Sequence, residues 1–211
     1  MIYFHIHDAR WFHDDFVPAL TNCRQRRSFV PCQKLCHYLS TTARDYCERF
    51  HVGEQPLITR IDGLPYAPDL WRLLVGELLV FGALDLPEFE QAPELLCRLA
   101  GAELGEHPLR AQFGSMRQAH YGARDLSFGA AVYRPQTVGW NDAEDMARIA
   151  DYLNSLAVES WSASMLKAPA TAVEDADLEQ ELVYAQDCLP DLKRIYREAA
   201  IAGHLIVAEV A

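Results

Sequence analysis

The chain has no stretch of about 20 uncharged apolar residues, the length a membrane-spanning helix requires. Its nearest approach, Leu70 to Leu84, is shorter and carries Arg72 and Glu77, so a buried core helix is expected there and no membrane partner. The amino terminus, Met-Ile-Tyr-Phe-His-Ile-His-Asp, has neither a basic leader nor an apolar segment with a small-residue cleavage site, and cytoplasmic residence is the expectation. Basic residues are scarce, 19 Lys and Arg against 30 Asp and Glu, for a net charge of −11. Such a balance argues against generic nucleic-acid binding, which needs a basic face along the phosphate backbone. The one basic stretch is residues 23–60, with seven Lys/Arg against three Asp/Glu, and its cluster Arg24, Arg26, Arg27 reads as a solvated loop. Six cysteines at irregular spacing, without a secretory context, are expected to be reduced thiols and not a disulfide framework. Also missing are Gly-x4-Gly-Lys-Ser/Thr, Gly-x-Gly-x-x-Gly, His-Glu-x-x-His and Gly-x-Ser-x-Gly, so nucleotide, zinc-protease and serine-hydrolase readings lose support.

What is present suits one large domain over residues 1–211: half the residues are hydrophobic, enough to bury a substantial core. Ile2, Phe4 and Ile6 alternate with Tyr3, His5 and His7, the period of a half-buried strand. Helices are expected from about Trp11 to Leu20, from Pro31 along the stripe Leu35, Cys36, Leu39, Ala43, Tyr46, Cys47, Phe50, from Asp69 to Leu84, and from Glu94 to Ala100. Leu57 to Ile61 and Leu126 to Tyr133 read as extended pieces. Asn141 followed by Glu144 has the capping-box spacing, ahead of the stripe Met146, Ile149, Leu153, Leu156. A last helical region from Leu178 to Ala199 contains Pro190, which is expected to kink or divide it. Gly203 fits a left-handed cap, and His204 to Ala211 is apolar on both alternating sets, as in a strand buried on both faces. The expected fold is α+β, a mixed sheet including both terminal strands packed with about five to six helices.

The last third, with Trp140-Asn141-Asp142-Ala143-Glu144-Asp145 opening a helix and Leu192-Lys193-Arg194-Ile195-Tyr196-Arg197-Glu198-Ala199-Ala200 before Gly203, resembles the YfbM-like family of small bacterial proteins. An earlier helix of the kind Asp69-Leu70-Trp71-Arg72-Leu73-Leu74 belongs to the same resemblance. It implies an α+β fold with a closing helix-strand pair; the family has no assigned activity and contributes no catalytic residues.

Several residue sets could carry chemistry. His5 and His7 share one strand face beside Asp8, the arrangement by which amidohydrolase-type enzymes place two metal ligands. A barrel of that kind needs eight strand-helix units, more than this chain displays. Cys32, Cys36, Cys47 and His51 form two pairs at i,i+4, with His37 nearby. On one continuous helix those pairs lie about 16 Å apart, too far to share an ion, and buried thiols are the expectation. His13, Asp14 and Asp15 cluster, and His120 with Asp125 could act as base and orienter near Ser115 or Ser127.

Acidity, modest size and the missing catalytic signatures favour a non-catalytic interaction module with a basic protein partner and no cofactor, of the bacterial immunity or antitoxin kind. Its surface is expected at Glu174, Asp175, Asp177, Glu179 and Glu181. A helix start favours acids at about 0.3–1 kcal/mol each, which accounts for two or three of the five. The alternative is a small metal-dependent hydrolase using His5 and His7.

Overall fold

The alternation at the start of the chain becomes strand β1, Ile2–Asp8, paired antiparallel along its length with β4, His204–Val210. Strand β3, Thr137–Asn141, lies on the other side of β4, and the two-residue β2, Arg124–Asp125, pairs with β3. The sheet order is β1-β4-β3-β2, so the apolar carboxy-terminal strand is interior, as its two apolar sets require. The α+β class holds. Every described pairing is antiparallel, however, where a mixed sheet was expected. Side-chain alternation reports burial and says nothing of a neighbour's direction.

This computed structural model describes residues 2–50, 55–105, 114–125, 137–167 and 175–210, with backbone alone at 46, 47, 49, 50, 175, 176 and 210. Seven α-helices occur among them: α1 Val17–Arg26, α2 Gln33–Phe50, α3 Pro68–Gly82, α4 Pro93–Glu103, α5 Ser115–Tyr121, α6 Ala143–Ser155 and α7 Asp175–Ala202. No helix among the described residues is long and apolar enough to cross a membrane. Helices α1 to α3 cover the sheet face bearing Val138, Leu205 and Val207. Helices α4, α6 and α7 pack on the face bearing Phe4, Ile6, Ile206 and Ala208, and Met116 and Ala119 bring α5 to the same layer. One sheet thus serves two helical layers, each built by one half of the chain.

Local chemistry sets the element ends. A π-helical turn, Trp11–Phe16, joins β1 to α1, opened by the Asp8 carboxylate accepting from Trp11 N–H at 2.8 Å. Asp142 and Asp145 form a reciprocal capping box on α6, one residue later than Asn141 and Glu144 suggested. Asn141 is instead the last residue of β3 and fully buried. Leu57–Thr59 is a 3-10 turn and not a strand, because the Glu77 carboxylate accepts from both Leu57 and Ile58 N–H at 2.8 Å and curls the backbone around itself. Helix α7 continues undivided through Pro190 and stops at Gly203, φ +70. Gly139 is obligatory for packing, since a Cβ there would overlap the Tyr121 carbonyl. The expected strand at 126–133 lies outside the described residues.

On the outer edge of β1, Ile6 N–H donates to Asp85 O and Ile6 O accepts from Leu84 N–H, at 2.9 and 2.7 Å. Phe89 packs on Phe4 with ring centroids 5.2 Å apart, and Gln91 Nε2 donates to Ile2 O. Residues 84–91 therefore shield an edge that would otherwise offer unpaired backbone groups to another chain.

Candidate functional site

Helix α7 buries Leu178, Leu182, Ala185, Cys188, Leu189, Leu192, Ile195, Tyr196 and Ala199, the stripe its spacing prescribes. Its other side exposes Asp177, Glu179, Gln180 and Asp187 around Val183 and Tyr184, which are 54% and 40% exposed. Glu181 is half-buried at the margin. Glu174 and the Asp175 side chain lie outside the described residues. Among the described residues, no Lys or Arg comes within ion-pair distance of Asp177, Glu179, Glu181 or Asp187. The edge-covering segment adds to this surface: Tyr184 OH donates to Gln91 O at 3.4 Å, and Glu90 stands close by. Burial first, then the negative charge of Glu90, Asp187 and Asp191, pushes the Cys188 thiol above its ordinary value against an opposing hydrogen bond from Tyr184. Three carboxylates from two distant segments thus converge on one region, something no local pattern reveals.

The two strand histidines stack beneath the other helical layer, ring centroids 6.3 Å apart, and both are buried. The alternation suggested a half-buried strand, but the face bearing the histidines is covered as well, since the Trp11, Phe12 and Phe16 rings of the π-helical turn wall in His7 at 5.3–6.3 Å. His5 Nε2 meets the Glu209 carboxylate at 3.2 Å across the β1–β4 ladder, and His7 Nδ1 meets Gly82 O at 3.2 Å. Among the described residues, His5 Nδ1 and His7 Nε2 find no hydrogen-bond partner, and both are buried. Burial, and then the neighbouring His5, drives His7 down to about 3, so the ring is neutral in the folded chain.

No family model, curated protein or solved structure matches the chain. Roles therefore follow from geometry.

The remaining sets separate in space. His13, Asp14 and Asp15 are exposed on the π-helical turn, with His13 against Trp140 at 5.2 Å. His120 is buried, its Nδ1 turned to Met116 O at 2.9 Å, while Asp125 is exposed on β2, so the two do not form a base-orienter pair; Ser127 is outside the described residues. The Ser115 hydroxyl accepts from Arg148 at 3.0 Å. Cys32 and Cys36 are fully buried, whereas His37 is exposed and paired with Asp62 at 2.9 Å; the Cys47 side chain and His51 are outside the described residues. Among the described residues, no group of three His, Cys, Asp or Glu is placed to hold a metal ion.

Pattern reading missed a polar knot between the sheet and α7. Asn141 Nδ2 donates to Gln118 O and Tyr196 OH, its Oδ1 accepts from Ala123 N–H, and Tyr196 OH donates to Ala119 O. Tyr196 thereby satisfies the Ala119 carbonyl at the end of α5, and Asn141 gives the Gln118 carbonyl a second donor beside Gly122 N–H. Nearby, Arg124 binds Asp142 and Asp145, and Arg148 binds Asp145. Burial works to raise the Asp145 carboxyl, and the hydrogen bonds from Arg148 and Arg124 outweigh it, holding it below its usual value.

Proposed function

We propose that the chain is a non-catalytic interaction module of the cytoplasm that engages a basic protein partner through the acidic face of α7, in the manner of an immunity or antitoxin protein. The observation that carries this is the grouping of Asp177, Glu179 and Asp187, without a cation partner among the described residues, around exposed Val183 and Tyr184. An apolar and aromatic centre inside a charged margin is the anatomy of a protein interface. The helix macrodipole accounts for acids in the first turn of α7, but Asp187 lies three turns on and Glu90 belongs to another segment. Their charge favours a basic partner and speeds its approach.

A photo-crosslinking side chain at Val183, used in cells and compared with one at the distant exposed Val30, tests the proposal. The expected adduct forms from Val183 alone, joins a basic protein, and disappears in the triple variant Asp177→Lys, Glu179→Lys, Glu181→Lys. With that partner purified, the triple variant should associate roughly tenfold more slowly at low ionic strength. An acidic partner, or an adduct undiminished by charge reversal, refutes it. The hydrolase alternative requires a further ligand beside His5 and His7; stoichiometric metal in the purified protein, lost in His5→Ala, would establish that alternative instead.

A further inference from the structure

The arginine cluster that the sequence suggested as a solvated loop is the end of a helix, clamped onto another element. Arg24 and Arg26 lie in the last turn of α1 and Arg27 caps it, and all three are exposed. Ser28 N–H donates to Cys23 O at 3.1 Å and Arg27 N–H to Arg24 O at 3.3 Å, a closure whose left-handed position is usually glycine. Here that position is Arg27, at φ 48, the one non-glycine residue with positive φ among the described residues. An arginine held where glycine would sit without strain is a pointer to function. The Arg24 guanidinium lies 5.7 Å from the centroid of the Trp71 ring, near the start of α3, and Phe29 packs against Tyr66 with ring centroids 5.4 Å apart. These two contacts hold the arginine turn against residues 66–72, whose last member is Arg72.

Four arginines from two segments thus share one small region. The ion pairs of the described residues set a single carboxylate against them, Asp69, which meets Arg72 at 3.6 Å, while Arg26 and Arg27 have no ion-pair partner among those residues. The helix macrodipole accounts for Arg24 and Arg26 at the carboxy end of α1. It gives no support to Arg72, which stands towards the amino end of α3. Tyr66 is half-buried among them. Burial raises its phenol above the ordinary value, and Arg24, Arg27 and Arg72 all act against that rise, so the three charges lie within electrostatic reach of a hydroxyl that is protonated and able to donate.

We propose that Arg24, Arg27, Arg72 and the Tyr66 hydroxyl form an anion site for a compact ligand bearing a diphosphate group. The planar fork of arginine matches phosphate oxygens two at a time, and the phenol supplies a further donor. The arginines gather round Tyr66 and do not run along a line, which suits a small polyanion and not the backbone of a nucleic acid. The chain's net charge of −11 repels a long polyanion, but the local charge prevails over a few ångströms because distant charges are screened beyond about 10 Å at 0.1 M salt. The site belongs to the layer of α1 to α3, on the opposite side of the sheet from α7, and stands independently of the acidic face.

The test is a calorimetric titration of the full-length chain with inorganic pyrophosphate at low ionic strength. One saturable site is expected, and Arg27→Gly should weaken it roughly tenfold. Because glycine suits the left-handed position, the same variant should keep or raise the melting midpoint, a combination that a merely structural arginine would not produce. Arg197→Gln, which removes an exposed charge from α7, should bind as the parent does. Absence of saturable binding to the folded parent, parental affinity in Arg27→Gly, or an equal loss in Arg197→Gln overturns the site. Citrate, a polyanion without phosphate, should bind more weakly, and equal affinity overturns the preference for phosphate. An oligothymidylate whose affinity rises with its length would overturn the compact ligand in favour of a nucleic-acid track.

Discussion

Replacing Tyr196 with Phe removes one buried oxygen and leaves the ring's volume unchanged. That oxygen donates to Ala119 O at 2.7 Å and accepts from Asn141 Nδ2 at 2.8 Å, in a site closed to solvent. Burial pushes the phenol above its ordinary value against the Asn141 hydrogen bond, so it is protonated and able to donate. Asn141 keeps Gln118 O as a partner for its amide, at 3.0 Å, whereas the Ala119 carbonyl loses the Tyr196 donor. A net hydrogen bond contributes about 1 kcal/mol, and a buried polar group left unpaired costs about 1–3 kcal/mol, so a loss of about 2–3 kcal/mol is expected. For a chain of this size each kcal/mol moves the melting midpoint by about 2–4 °C, giving a fall of roughly 4–12 °C. Asn141→Ala should cost more, since Ala123 N–H, Gln118 O and Tyr196 OH each lose a partner. Because the two side chains share a bond, the double variant should be less destabilised than the two losses added together, by on the order of 1 kcal/mol. Reversible denaturant unfolding of the four proteins supplies the cycle. A Tyr196→Phe midpoint within about 1 °C of the parent, or strictly additive losses, would refute the knot.

Acid should destabilise the fold in a defined window. His7 and His120, driven by burial to about 3 and about 4 from an ordinary value of 6.5, bind protons less readily folded than unfolded, so stability is full above about pH 6.5 and is lost as pH falls towards 4. Each ring should cost roughly 2 kcal/mol by pH 5, and His120→Gln should shrink the slope of stability on pH; a flat profile from pH 7.5 to 5 would contradict burial of both rings. Removing residues 204–211 takes out the strand that pairs with both β1 and β3, so cooperative unfolding should vanish, and an unchanged melt would refute the sheet order. Cys36, fully buried and pushed up to about 12, should label slowly in the native chain and quickly in denaturant; prompt native labelling would count against its burial.

Periodicity alone determined which residues face a core. The two apolar sets of β4 made it interior, the stripes of α2, α6 and α7 chose their buried sides, and Gly203 stopped the last helix. Each of these is a property of neighbouring residues along one element. Tertiary structure decided which surfaces meet. It buried His5 and His7 beneath the aromatic side chains of the π-helical turn and brought Glu90 beside the α7 carboxylates. It also gave Asn141, whose position suggested a helix cap, to the end of α5 and to Tyr196, 55 residues away in the chain. A polar side chain at an element boundary satisfies whichever backbone or hydroxyl group the fold presents, and that group is known only when the elements are packed together.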